Sequence, residues 1–109
     1  MSRLTSPGFV VKIDNMHALL ITHFKDVTPE GDVIELIIWK VPTPVPPSTH
    51  GYKYRAAYVV GGERVIGFDN ERGKGDHCHI DGHEADYTFN GPKHLVEDFI
   101  AAIDAKRKT

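Results

Sequence analysis

The sequence predicts an α+β domain: an antiparallel β-meander of about five or six strands with one C-terminal helix packed on one face. Three observations carry that prediction. From Met16 the chain reads mostly with a two-residue period, and helical spacing begins only after Asn90-Gly91-Pro92. The 109-residue length suits one domain spanning 1–109.

Taken in order, residues 1–15 form an arm or, over 8–14, a weakly alternating edge strand. Residues 18–24 are apolar and β-branched, and Thr28-Pro-Glu-Gly-Asp32 is a turn signal joining them in a hairpin to residues 32–41. In 32–41, Ile34, Leu36 and Ile38 point to one face and Val33, Glu35, Ile37 and Trp39 to the other, so a central strand is expected. Residues 41–51 carry four of the seven prolines. Proline fixes φ and removes a ladder donor, which makes this stretch a stiff connector crossing the sheet edge or a docking segment.

Strands 52–60 and 64–69 flank Gly61-Gly62, a tight turn whose positive φ angles glycine adopts without strain. Residues 70–75 read as a polar, glycine-containing loop, with short strands at 77–80 and 85–89 around Asp81-Gly82. Pro92 suits a first helical turn with Asn90 or Gly91 as cap. Leu95, Val96, Phe99, Ile100 and Ile103 then form a stripe expected to pack on the sheet, and Lys106-Arg107-Lys108 complements the negative end of the helix dipole.

Composition narrows the function classes. Apolar residues are 40% and charged residues 26%, an ordinary globular balance, and the net charge of -2 gives no whole-molecule field for nucleic acid or anionic membrane. The single cysteine, Cys78, excludes an intramolecular disulfide and a Cys-rich zinc module, which fits a cytoplasmic protein. No apolar run approaches the roughly 20 residues of a membrane helix, and residues 1–7 lack a secretory pattern, so no membrane partner is expected. Seven histidines are the compositional outlier.

Chemistry concentrates in residues 69–84. On a strand, His77 and His79 share one face about 7 Å apart, close enough for one neutral imidazole to accept a proton and its protonated neighbour to donate one. Lys74 or Arg72 would neutralise charge on a phosphate, and Gly73 and Gly75 let the backbone approach. These are the parts of a metal-independent ribonuclease that needs no cofactor. Two other readings stay open: a solvated polar hairpin, and a metal site built from His77, His79 and His83 or Asp81. Cys78 faces away from both histidines, which disfavours a Cys-His nucleophile. A second constellation, Tyr52, Lys53, Tyr54 and Arg55, either stacks bases and holds phosphates or is a core aromatic face with its hydroxyls at the rim. His17, His23, His50 and His94 have no partner by spacing and read as structural or surface residues.

Three blocks resemble a known family. They are Trp39-Lys-Val-Pro-x-Pro-Val-Pro, His50-Gly-Tyr-Lys-Tyr-Arg-x-Ala-Tyr-Val-Val60 and Asp69-Asn-Glu-Arg-Gly-Lys-Gly-Asp-His-x-His-Ile80, and their order is similar to the TumE family of prokaryotic toxin–antitoxin proteins. Cys78 and His83 stand where arginine is expected. The resemblance implies a toxin acting in the cytoplasm, with a small DNA-binding antitoxin of helix-turn-helix type as partner. Together with the residues it predicts a toxin that cleaves RNA without a cofactor. His77 and His79 serve as base and acid in either order with Lys74 beside them; Arg55, Arg72 and Lys53 bind phosphate; Tyr54 and Tyr52 stack or orient bases. The rival class is a non-enzymatic protein that inhibits a cellular target through the proline connector and the aromatic hairpin face.

Overall fold

A computed structural model describes the backbone of residues 3–4, 10–13 and 16–108 and the side chains of residues 17–108. Eight strands make one sheet: β1 (Arg3–Leu4), β2 (Val10–Ile13), β3 (Met16–Val27), β4 (Val33–Lys40), β5 (Tyr52–Val60), β6 (Glu63–Glu71), β7 (Gly75–Ile80) and β8 (His83–Asp86). From β3 to β8 each strand pairs antiparallel with its successor, a six-strand meander; β1 and β2 both pair with the outer side of β3. The helix α1 (Pro92–Arg107) lies on one face. Among the described residues, no helix is long and apolar enough to cross a membrane.

The core follows from the alternation. Leu36 and Ile38 of β4, Tyr54, Ala56 and Tyr58 of β5, and Ile66 and Phe68 of β6 meet Leu95, Phe99 and Ile103 of α1, all buried. Three turns of helix thus place one side chain each on the sheet, as spacings of four predict. The stripe is narrower than expected: Ile100 is 51% exposed. It lines, with Phe24, Ile34 and Val96, an open groove of about 540 Å³ between α1 and the β3–β4 end of the sheet. Gly91 caps α1 without a side-chain hydrogen bond.

A bulge in β3 decides which residues reach the opposite face. The register shifts between Leu20 and Thr22, so Leu20 pairs with Trp39 while Thr22 pairs with Ile38. One extra residue reverses the alternation. Ala18 joins Val41 and Val45 in a second small cluster against Trp39, while Phe24 turns to the helix side.

The proline stretch is a connector anchored to the sheet, with Pro42, Pro44, Pro46 and Pro47 exposed. Val41, Val45 and Ser48 are buried, and Val41 N–H donates to Gly51 O at 2.9 Å. Pro46 O accepts the Gly73 N–H at 2.8 Å, which ties the connector to the β6–β7 turn. Below this tie lies a polar network on the helix side. Asp76 accepts from Ser48 Oγ (3.0 Å), Tyr54 OH (2.7 Å) and His50 Nε2 (2.8 Å). Because His50 Nδ1 accepts the Tyr52 N–H at 3.2 Å, the ring proton must be on Nε2, where it meets Asp76. His50 is therefore structural, its ring stacked on Phe89 with centroids 4.0 Å apart.

Two sequence expectations need correction here. The loop predicted over 70–75 shrinks to residues 72–74, because Asn70 and Glu71 complete β6 and Gly75 and Asp76 open β7. The strand predicted at 85–89 is shifted to His83–Asp86. Tyr87 and Phe89 instead fold over the sheet: Tyr87 meets Phe68 edge-on at 5.0 Å and Phe89 stacks on Tyr54 at 4.9 Å.

Candidate functional site

The face opposite α1 is polar from β5 to β8, and strand register puts its groups in rows. Arg55 of β5 is opposite Asp69 of β6, and Asp69 is opposite His77 of β7; His77 is opposite Asp86 and His79 opposite Glu84 of β8. Residues directly opposite each other share a face. Lys74 reaches the same place from the β6–β7 turn, with Nζ 2.5 Å from Glu84 Oε2. These groups border a hollow of about 410 Å³ lined by Lys74, His77, Glu84, Ala85 and Asp86. An adjoining hollow of about 270 Å³ is lined by Ile37, Trp39, Lys53, Arg55, Asp69 and Glu71. The larger groove by Ile100 lies on the other face and has only Asp104 and Arg107 as charged lining, so the titratable groups concentrate on the polar face.

His77 and His79 share this face with ring centroids 5.3 Å apart, yet they are not equivalent. The His77 side chain is 4% exposed; its Nδ1 is 3.0 Å from Gly75 O and its Nε2 is 2.6 Å from Asp69 Oδ1. Carbonyl oxygen only accepts, so Nδ1 carries the proton that points at Gly75. His79 is 26% exposed and holds Glu84 Oε2 at 3.0 Å. His79 is the more exposed of the two, whereas His77 is nearly buried and borders the hollow beside Lys74 and Glu84.

Glu84 and Lys74 form the exposed end of the cluster. The hydrogen bond from Lys74 holds the Glu84 carboxyl below its ordinary range, and the same bond raises Lys74. Both are charged at neutral pH. Behind them Asp69 Oδ1 is buried with no aligned hydrogen-bond donor, although His77 Nε2 approaches it at 2.6 Å. Lys53 Nζ donates to the Asn70 backbone carbonyl, and Arg55 lies 3.9 Å from Glu35.

Of the residues singled out by sequence, Lys74, His77 and His79 are brought together, and Arg55 and Lys53 flank them on the same face. Arg72 is exposed in the β6–β7 turn and has no ion pair among the described residues. Tyr52 and Tyr54 are not on the face that carries Lys74, His77 and His79. They lie on the helix side, where Tyr54 is fully buried, its hydroxyl bonded to Asp76 and its ionisation pushed far up by burial and by that carboxylate. Tyr52 is half-buried on the same side against His50 and Phe89. His83 pairs with Ile80 and so faces away from His77 and His79, and Asp81 is held by Lys106 at 2.6 Å; neither completes a metal site with the histidine pair. Cys78 faces the core side, and burial raises its thiol.

Glu84 is the functional candidate that sequence reasoning missed. A signal existed: with a two-residue turn at Asp81-Gly82, counting back across the hairpin sets Glu84 opposite His79. Asp69 was equally countable, because its alternation with Gly67 and Glu71 fixes its face.

Comparison with known proteins supplies what geometry alone does not. No curated protein and no solved structure matches the chain. The family model described as Toxin TumE matches residues 11–107, which include every group of the polar face described above. The chain belongs to the TumE toxin family.

Proposed function

We propose that this chain is the toxin of a toxin–antitoxin module and acts in the cytoplasm by cleaving RNA at the polar face. The observation that carries the reading is the contact of His79 with Glu84 at 3.0 Å beside Lys74, on a face flanked by Arg55 and Lys53. An exposed carboxylate, an imidazole and an ammonium are a base, an acid and a phosphate-neutralising group. As a phosphate draws Lys74 away, Glu84 loses the bond that depresses its basicity and becomes able to take a proton.

The step follows from those positions. Glu84 takes the 2′-hydroxyl proton as the 2′ oxygen bonds to phosphorus. The bond from phosphorus to the 5′ oxygen breaks, and that oxygen takes a proton from the His79 imidazolium. A 2′,3′-cyclic phosphate and a 5′-hydroxyl end result. His77, buried between Gly75 O and Asp69, is a positioning residue that fixes the face on which His79 stands.

A toxin of this family implies an antitoxin partner; a small helix-turn-helix DNA-binding protein is the type we propose. The test is growth and total RNA in cells expressing wild type, His79→Ala or Glu84→Gln, with folding checked by circular dichroism. Wild type should arrest growth and degrade RNA, and both folded variants should do neither. Equal arrest with intact RNA in all three would refute cleavage at this face.

A further inference from the structure

We infer that Asp69, Glu71 and His77 bind one divalent first-row metal ion, of the kind Mn²⁺ represents, at the edge of the polar face next to His79 and Glu84. Asp69 and Glu71 are two apart on β6 and so point to the same side, and His77 is opposite Asp69 on β7. One ligand atom from each of the three lies within 4.8 Å of the others. Two carboxylates and one imidazole form a mixed oxygen and nitrogen set suited to such an ion.

An independent observation points to a cation there. Asp69 is buried, with its side chain 12% exposed, and its Oδ1 is out of solvent with no aligned donor. That oxygen is 2.6 Å from His77 Nε2. The Nδ1 of His77 is engaged by Gly75 O at 3.0 Å, which leaves Nε2 as the ring atom that faces Asp69 Oδ1. That short approach is not aligned as a hydrogen bond, and a cation shared by Asp69 Oδ1 and His77 Nε2 would satisfy both atoms at once. An Nδ1–H bonded to a backbone carbonyl is also the outer support that fixes a histidine as an Nε2 metal ligand.

The neighbouring cations do not fill this role. Lys53 is turned to the Asn70 carbonyl, Arg55 to Glu35, and Lys74 to Glu84. His77, His79 and Glu84 also lie within 4.8 Å of one another, but there the Lys74 ammonium already occupies the carboxylate. The inference rests on the RNA-cleavage reading for its consequence. Glu35, Asp69, Glu71, Glu84 and Asp86 make the face acidic, and a divalent ion between Asp69 and Glu71 would let a phosphate approach Lys74 and His79.

The test titrates Mn²⁺ into the metal-stripped full chain, followed by calorimetry and by the Mn²⁺ electron paramagnetic resonance signal. Wild type should bind one ion. Glu71→Gln, an exposed and fold-sparing change, should weaken binding at least tenfold, as should Asp69→Asn, while His79→Ala should retain it. No saturable binding by wild type, or unchanged binding in Glu71→Gln, overturns the site. Parallel RNA digestion separates the two readings: cleavage in chelator without Mn²⁺ binding removes the metal site alone, whereas Mn²⁺ binding with intact RNA removes the cleavage reading alone.

Discussion

Replacing Asn70 with alanine tests whether the polar network beneath the proline connector holds the site end of the sheet. The Asn70 side chain is fully buried; Oδ1 accepts the Tyr54 N–H at 3.0 Å, and Nδ2 donates to Tyr52 O at 2.9 Å and to Ser48 Oγ at 3.3 Å. Each neutral hydrogen bond contributes about 1 kcal/mol net, and a buried N–H left without a partner costs about 1–3 kcal/mol. Asn70→Ala removes three bonds and orphans the Tyr54 N–H, so about 3–5 kcal/mol of stability should be lost. For a domain of this size that is about 15 °C in Tm, or about 2 M in urea midpoint. Asn70→Asp should do no better, because it keeps Oδ1 but replaces the Nδ2 donor with an acceptor oxygen facing Tyr52 O and Ser48 Oγ. Urea and thermal melts followed by circular dichroism give the values. A loss below about 1 kcal/mol for alanine, or an aspartate variant as stable as wild type, would show that these bonds do not carry the load assigned to them.

Other perturbations separate neighbouring features. Gly75 and Gly73 both have positive φ, but a Cβ at Gly75 would meet Pro47 Cγ at 3.0 Å whereas one at Gly73 meets nothing within 4 Å. Gly73→Ala should therefore cost only the backbone strain, about 1–2 kcal/mol, and Gly75→Ala measurably more in parallel urea melts; equal losses would mean that Pro47 does not pack on the turn. Phe99→Ala should destabilise by about 3–5 kcal/mol, while Ile100→Lys should stay within about 0.5 kcal/mol, and a large loss at Ile100 would contradict its exposure. Cys78, with its thiol raised by burial against the core, should react slowly with a thiol-specific reagent at neutral pH and rapidly in denaturant. Equal rates in both conditions would place it outside the core.

Period and punctuation made most of the meander legible. Ile34, Leu36 and Ile38 alternate without interruption, Gly61-Gly62 leaves only a hairpin, and Leu95, Phe99 and Ile103 recur at helical spacing. What failed was local preference overridden by tertiary contact. Tyr87 and Phe89 look like strand residues, but their rings are needed to cover Phe68 and Tyr54, so the chain leaves the sheet at Asp86. Asn70 reads as loop because its amide suits turns; here the same amide serves the backbone of the adjacent strand. The tyrosines show the deeper ambiguity, since alternation puts Tyr54 and Lys53 on opposite faces without saying which face the helix will cover.

The groups proposed to react occupy one short excursion of chain, from Asp69 to Glu84, that ends at the margin of the sheet. Its last strand, β8, is four residues long and exposed at every position, with β7 as its neighbour in the sheet. Such a segment detaches at a small fraction of the free energy that global unfolding requires. Glu84 would leave with it, while Leu36, Tyr54, Phe68 and α1 stay packed. The assembled face is thus an equilibrium state in its own right. Amide exchange at Ala85 should report how often it comes apart in a molecule that never unfolds.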